Sequence, residues 1–465
     1  MARMAPPSPV AALLRRIPKV DELLGRPELA VAVGRLGRER VTALVRHELA
    51  AVRREAQAGR EPPDAAALSE RVAGAARALL ASRVRRVVNA TGVVLHTNLG
   101  RAPLSERAVA ALAATSGAYG SVELDVATGR RGVRAAFAER ALAALGGAED
   151  ALVVNNNAGA VLLVLAALAA GRAALVSRGE LVEIGGGFRV PEVLACSGAR
   201  LCEVGTTNRT RLGDYEQALA NEPDCALILR VHPGNFRQTG FVERPTLPEL
   251  AGLAARHGAW LVKDLGGGAL FDPARHDLPG EPTVQSAVAG GAALVCFSTD
   301  KLLGGPQGGA IVGRAELVAR ARRHPLARAL RLGRLPLVAL EATLDSYLSG
   351  DLAELPVFAA LTAPPEAVRA RVERWVATLA EQGIAARVVA VEGATGGGAL
   401  AEMPLASFAV ELRGDDVEAL AARLRAGEPP VLGRIHESAV LLDGRSVLAA
   451  DDDALVAAVV RASRA

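Results

Sequence analysis

Three things are scarce in this sequence: aromatic side chains, paired cysteines and long apolar segments. Aromatics make up 3% of the 465 residues while hydrophobic residues make up 51%, so Ala, Val and Leu must fill the interior. The four cysteines, Cys196, Cys202, Cys225 and Cys296, show no CxxC spacing. That pattern favours neither a zinc site nor a disulfide framework; no metal is expected, and buried free thiols are. The longest apolar run, Ala158 to Gly171, is too short to span a bilayer and reads as a buried helix. The segment Met1 to Val10 is proline-rich and lacks the apolar core of a signal peptide. The expectation is a cytoplasmic protein that does not associate with membranes. The length leaves room for two or three domains and at least one large core.

Charge is modest overall and unevenly placed. The net charge is +4, yet residues 1–60 carry twelve basic and six acidic groups, a local excess of +6, and the remaining 405 residues sum to −2. A small basic module ahead of a slightly acidic body fits a polyanionic partner. It fits equally a solvated arginine-rich face.

The chain turns on the stretch Phe297-Ser298-Thr299-Asp300-Lys301-Leu302-Leu303-Gly304-Gly305-Pro306-Gln307-Gly308-Gly309. An apolar run from Ala292 to Phe297 ends at two hydroxyls, an acid and a lysine. A lysine at the end of a buried strand is costly unless it is paired or used covalently. It could instead snorkel to the surface. The glycines follow the lysine, whereas in a Walker loop they precede it, so nucleotide binding of that kind is excluded. A Schiff-base lysine, made nucleophilic by partial desolvation and nearby charge, suits the pattern.

A second stretch, Trp260-Leu261-Val262-Lys263-Asp264-Leu265-Gly266-Gly267-Gly268, is another strand ending in an acid and glycines. Pyridoxal phosphate needs a carboxylate against its pyridinium nitrogen to keep the ring electron-withdrawing. An acid and a lysine at the ends of two strands resemble the aminotransferase-like enzymes. A narrower likeness is carried by Phe297–Gly309 together with Val88-Asn89-Ala90-Thr91-Gly92-Val93-Val94-Leu95-His96-Thr97-Asn98-Leu99-Gly100-Arg101-Ala102-Pro103-Leu104. These two motifs, within a likeness that covers nearly the whole chain, resemble the bacterial selenocysteine synthase family. The sequence departs from the family pattern at Thr299 and Gly267, at Gly187, and at Pro233-Gly234, without loss of an ionisable group.

Taken in order, residues 8–60 read as short helices and one long amphipathic run, Glu39 to Gln57. Gly59–Asp64 breaks that pattern, and a helix follows from Ala65 to Ser82. Seven strands are predicted: Ala151–Val154, Ala174–Ser177, Leu201–Val204, Ala226–Val231, Trp260–Asp264, Ala293–Phe297 and Ala310–Val312. Helices fit between most of them, which calls for a mostly parallel sheet covered on both faces. In such sheets ligands bind beyond the carboxyl ends of the strands. Polar motifs cluster there: Asn155-Asn156-Asn157-Ala158, Ser177–Glu180, Gly185–Arg189, Gly205–Arg209 and His232–Arg237. Asn156 and Asn157 suit either a helix cap or a phosphate-binding helix start. Arg328 and Arg331, three residues apart, are predicted on one helix face, as part of a solvated basic surface or of a pocket. A smaller α/β region follows, with helices Glu366–Gln382 and Asp416–Ala426 and strands Ala386–Val391, Phe408–Leu412 and Val440–Leu442.

The resemblance implies the rest. It implies a pyridoxal-phosphate-dependent transferase of fold type I. The expected domains are a basic helical tRNA-binding domain (1–62), a linker helix (63–88), a cofactor-binding large domain (89–345) and a small α/β domain (346–465). It implies conversion of L-seryl-tRNA(Sec) to L-selenocysteinyl-tRNA(Sec) with selenophosphate, through a dehydroalanyl-tRNA stage. Lys301 would hold pyridoxal 5'-phosphate, Asp264 would face its ring nitrogen, and Asn156, Asn157, Ala158, Ser298 and His232 would surround it. Arg101, Arg328 and Arg331 would hold the anionic donor, and Asp300 would help activate donor or ester. The family assembles as a homodecamer of dimers, with sites at subunit interfaces. Gly396-Gly397-Gly398-Ala399-Leu400 resembles a further family motif. Two other readings stand beside this one: a related lyase acting on a small phosphorylated amino sugar or amino acid, and a non-catalytic tRNA-binding protein. The basic N-terminal module argues against the first, and the intact Asp264 and Lys301 against the second.

Overall fold

All seven expected strands form one sheet. The structure is a computed structural model that describes residues 9–184, 187–234, 236–278, 280–400 and 403–464. Met1–Ser8, Gly185, Gly186 and Asn235, which figure in the sequence reading, lie outside the described residues. The strands are β1 (Asp150–Val154), β2 (Ala173–Ser177), β3 (Arg200–Val204), β4 (Cys225–Val231), β5 (Trp260–Gly266), β6 (Leu294–Ser298) and β7 (Gly309–Gly313). Their spatial order is β1-β7-β6-β5-β4-β2-β3, with β7 antiparallel to both neighbours and the other pairs parallel.

Strand alternation decides which face each side chain serves. Leu152 and Val154 join one core with helix Asn157–Ala169 and helix Ala315–Arg323. Ala151 and Val153 join the other with helix Ala136–Gly146 and helix Arg334–Ser349. Leu294 and Cys296 divide from Val295 and Phe297 in the same way. Every residue of β2, β4, β6 and β7 is buried, as a sheet covered on both faces requires. Among the cysteines, Cys225 and Cys296 are buried, but Cys202 is half-buried and Cys196 exposed, so the expectation of buried thiols holds for two of the four.

The C-terminal sheet is built on β8 (Arg387–Gly396), β9 (Pro404–Arg413), β10 (Arg434–His436) and β11 (Ala439–Asp443). Its fifth strand is Val93–Leu95, parallel to β8, and Val88–Asn89 pairs with Val431–Leu432. Residues 89–95 were expected to open the large domain. Val93–Leu95 joins the C-terminal sheet instead, and Val88–Asn89 forms a separate two-stranded sheet with Val431–Leu432, both held by backbone pairing that leaves no local sequence signature.

The chain divides into two compact units, Met1–Arg86 and Val87–Ala465. Within the first, helix Arg38–Gln57 and helix Ala65–Ala81 pack together through Val41, Val45, Leu49 and Leu68, Val72, Ala76. The stretch expected as a linker helix is therefore part of the N-terminal unit, because its apolar stripe completes that unit's core. Among the described residues no helix is long and apolar enough to cross a membrane.

Candidate active site

The polar motifs gather where β1, β4, β5 and β6 end. Asp264 lies in β5 and is 3% exposed; its neighbour across the parallel pair is Cys296. Helix Asn157–Ala169 starts beyond β1, and Asn157 Nδ2 donates to Asp264 Oδ1 at 2.9 Å. Burial raises the Asp264 carboxyl above its ordinary pKa, opposed by the Asn157 bond and by Lys263 and Lys301. His232, just past β4, donates its backbone N–H to the Asp264 carbonyl at 2.9 Å. Burial, then the charges of Lys263 and Lys301, push the His232 imidazole down to about 3, so it is neutral at physiological pH.

Asn156 caps its helix by accepting from Gly159 N–H at 2.7 Å. The cap leaves the first-turn N–H groups at Asn157 and Ala158 without partners inside the helix, an arrangement that favours an anion. Both readings of the Asn motif are thus compatible at one helix start.

Lys301 follows β6 and is 8% exposed. Burial, and then the Arg101 guanidinium, pull its ammonium below the ordinary lysine value, against Asp264, Asp300 and Glu281. Its Nζ lies 4.0 Å from where a Cβ on Gly266 would stand. The loop around it is closed by several bonds. Thr299 N donates to Gly308 O at 3.0 Å, Thr299 Oγ1 to Pro306 O at 2.6 Å, and Tyr347 OH to Leu303 O at 3.1 Å. Ser298 ends β6 opposite Gly309 and is buried.

The three arginines are not brought together. Arg101 Nη1 donates to Asp300 Oδ2 at 2.7 Å, beside Lys301. Arg328 and Arg331 instead line a cavity of about 470 Å³ with Arg131, Arg134 and Glu123, where Arg331 Nη1 meets Glu123 Oε1 at 3.1 Å. They do not share a helix face. Helix Pro325–Ala329 ends before Arg331, which bridges to Val154 in extended backbone, while Asn155 N donates to Leu330 O at 2.9 Å. Sheet-edge pairing at the end of β1 outcompetes continuation of that short helix. Arg322 bonds Glu139 and Asp150.

Sequence reading missed Glu281, which is buried near Lys301, because a single acid before a proline carries no pattern. It also missed the buried Arg230–Glu180 pair, 2.8 Å apart beside Lys263. Alternation along β4 could have flagged the pair, since Arg230 interrupts an otherwise apolar strand.

The donor set fits pyridoxal phosphate. A buried carboxylate, a buried lysine and a neutral histidine meet at a helix start, and the buried atoms Asn157 Oδ1 and His232 Nδ1 lack hydrogen-bond partners among the described residues.

Known proteins agree. Residues 87–448 match the family described as L-seryl-tRNA selenium transferase, and residues 14–53 match the selenocysteine synthase N-terminal family. This chain belongs to the L-seryl-tRNA selenium transferase family. An L-seryl-tRNA(Sec) selenium transferase from Carboxydothermus hydrogenoformans is 45% identical over 451 residues, 95% of this chain and 96% of that protein. One from Moorella thermoacetica is 46% identical over 458 residues, covering 97% of each. One from Solidesulfovibrio magneticus is 47% identical over 466 residues, covering 96% of this chain and 97% of that one. Among solved structures, a D-glucosaminate-6-phosphate ammonia-lyase superposes with a TM-score of 0.58 at 21% identity, over 82% of this chain and 96% of that one. The likeness carries the fold alone. The family membership agrees with the resemblance drawn from the two sequence motifs.

Proposed function

We propose that this family member converts L-seryl-tRNA(Sec) to L-selenocysteinyl-tRNA(Sec) with pyridoxal 5'-phosphate as cofactor and selenophosphate as selenium donor. The observation that carries the reading is the meeting of buried Lys301 with the buried Asp264 carboxylate, held by half-buried Asn157, at one edge of the sheet. When bound, the cofactor supplies an electron sink for the bond broken at the seryl Cα. Lys301 Nζ, its proton loosened by burial and Arg101, would hold the cofactor and, once free, is the group placed to take the seryl Cα proton. Asp264 sets a negative charge against the ring nitrogen, and Asn157 holds that carboxylate in place. The neutral His232 ring flanks the cofactor without adding charge. The helix start at Asn156, Asn157 and Ala158, with Ser298 near the lysine, holds the cofactor phosphate.

Arg328 and Arg331 hold the donor's phosphate, for which the two-pronged guanidinium is suited. Within one copy they line a cavity apart from Arg101, and exposed Tyr119, Val126 and Val133 lie in the same region of the chain. This supports a homo-oligomer in which a second copy completes the site, in keeping with the family's ring of dimers. Residues 1–86 form the tRNA-binding module, with the cofactor unit following it. The enzyme works in the cytoplasm, where aminoacylated tRNA is found. The lyase alternative has only a fold likeness behind it.

Incubation of the protein with cofactor, seryl-tRNA(Sec) and selenophosphate tests the reading. The expected result is selenocysteine on the tRNA, with borohydride fixing cofactor label on Lys301. Label on Lys263, or no selenium transfer by the unreduced wild-type protein, overturns it.

A further inference from the structure

The glycine loop at the end of β8 is tied to the lysine site by one side chain. Glu281 is 8% exposed, and its Oε2 accepts the Leu400 backbone N–H at 2.8 Å. Leu400 has φ +48°, a left-handed conformation unfavourable for a branched side chain. Such a backbone persists only where its surroundings hold it, and the Glu281 bond acts on the strained residue itself.

The same carboxyl stands against the floor of the lysine site. A Cβ on Gly267 would lie 2.5 Å from Glu281 Oε1, so the bare backbone makes room for this group. Gly266, one residue earlier, is the residue against which Lys301 Nζ lies. Leu302 N donates to Gly267 O at 3.1 Å, and Leu302 packs in one core cluster with Ala399 and Leu400. Glu281 Oε1 is buried without a hydrogen-bond partner among the described residues. Burial raises the Glu281 carboxyl above its ordinary pKa, against the Leu400 bond and the charge of Lys301.

The loop's other side faces open space. Gly393–Leu400, with Gly234 and Arg434, lines a cleft of about 700 Å³, within the range of small-ligand sites. Gly234 belongs to the turn that follows His232, and a Cβ there would lie 2.7 Å from Gly398 O. One loop thus touches the lysine segment, the histidine turn and the cleft.

We propose that Glu281 is a positioning residue that bolts the Gly396–Leu400 loop against the lysine site and so holds that site in shape for the aminoacylated substrate. The bolt needs a hydrogen-bond acceptor, not a charge, so glutamine replaces glutamate in it. The proposal rests on the seryl-tRNA(Sec) reading above, since that reading supplies the substrate.

The test compares Glu281→Gln and Glu281→Ala in the full-length holoenzyme. In Glu281→Ala, KM for seryl-tRNA(Sec) rises about tenfold, as expected for one lost buried hydrogen bond, while kcat stays within about twofold. Glu281→Gln restores KM. Hydrogen exchange, read without turnover, shows the Leu400 amide protected in wild type and Glu281→Gln and released in Glu281→Ala. An unchanged KM in Glu281→Ala, a Gln variant as impaired as Ala, or a Leu400 amide equally protected in all three overturns the proposal. Inactive wild-type protein fails the functional reading instead, and the exchange comparison still judges the bolt.

Discussion

Arg101 and Asp300 lie 199 residues apart in sequence and 2.7 Å apart in space, with the Asp300 side chain almost wholly buried next to Lys301. Arg101 has φ +64°, so the family-like segment that carries it bends sharply to reach the acid. The guanidinium assigned to the donor by resemblance is already committed to a carboxylate. Its partner and it act on Lys301 with opposite sign: Arg101 lowers the lysine pKa and Asp300 raises it. In cofactor-free protein, reductive labelling of Lys301 should shift to higher pH in Arg101→Met, which removes the cation and leaves an unpaired anion. In Asp300→Asn it should shift to lower pH. Shifts in the same direction in both variants would contradict this electrostatic arrangement.

Asp264→Asn keeps the shape of the side chain and removes the charge proposed to face the cofactor ring. A charge felt most as the seryl Cα proton leaves would lower the barrier without greatly changing ground-state binding. The rate of selenocysteinyl-tRNA formation should fall at least about 100-fold, while cofactor affinity measured by absorbance titration changes far less. Near-normal turnover would assign the ring nitrogen to another acid.

How much of this was legible in the sequence depends on how local each feature is. The strands β4, β5 and β6 were readable because each opens on an apolar run that gives way to polar residues at its end. Lys301 and Asp264 were readable because a charge at the end of such a run is costly without a function. The placement of Val93–Leu95 in the C-terminal sheet was not, since its pairing with Ala394 and Gly396 joins segments some three hundred residues apart. Nor was the unit boundary: the helix Ala65–Ala81 shows an amphipathic stripe, but a stripe does not say which core it completes. Arg331 was placed on a helix by spacing alone, and a backbone bridge to Val154 moved it off.

Lys263 gives a stability prediction with a definite sign. It stands beside Arg230 in the β4–β5 register, and both oxygens of Glu180 are already used, by Arg230 Nε and by Val231 N–H. Burial lowers its pKa from 10.5 to about 8. Below pH 8 folded and unfolded chains both carry the proton, and the full burial cost is present. Between pH 8 and 10.5 the folded chain binds fewer protons, so stability from this group rises with pH. Lys263→Met should stabilise the protein by about 3 kcal/mol at pH 7 and flatten that rise. Denaturant melts at a series of pH values check both, and an unchanged slope would show that Lys263 is not the group responsible.

Arg328 and Arg331 differ in what holds them. Arg331 shares Glu123 with Arg131 and Arg134, all on a partly exposed surface where such pairs contribute only about 0–1 kcal/mol. Arg331→Ala should therefore leave the melting temperature nearly unchanged. If these arginines hold the donor, either alanine variant raises the selenophosphate concentration needed for half-saturation by about tenfold or more, and loss of the seryl hydroxyl still proceeds. Failure of that first half-reaction with normal donor saturation would move them to tRNA contact.

The N-terminal unit decides between a nucleic-acid substrate and a small one, and the place of the cut matters. A cut after residue 62 strips Val41, Val45 and Leu49 from helix Ala65–Ala81 and leaves Leu68, Val72 and Ala76 without their core. That variant should aggregate for reasons unrelated to tRNA. Removal of residues 1–86 follows the observed boundary and leaves the unit Val87–Ala465 with its own cores. The basic excess of residues 1–60 gives affinity through phosphate neutralisation and counterion release, which weakens steeply with salt. Charge alone cannot choose one tRNA, so preference for tRNA(Sec) over tRNA(Ser) must come from the shape of the folded arms. The truncated protein should bind cofactor normally, lose at least about tenfold in affinity for tRNA(Sec) at moderate salt, and show a shallower salt dependence. Filter binding of both proteins across a salt series, against both tRNAs, measures this. Equal tRNA(Sec) affinity with and without residues 1–86 would remove the tRNA role of the module and return the small-molecule lyase reading to contention.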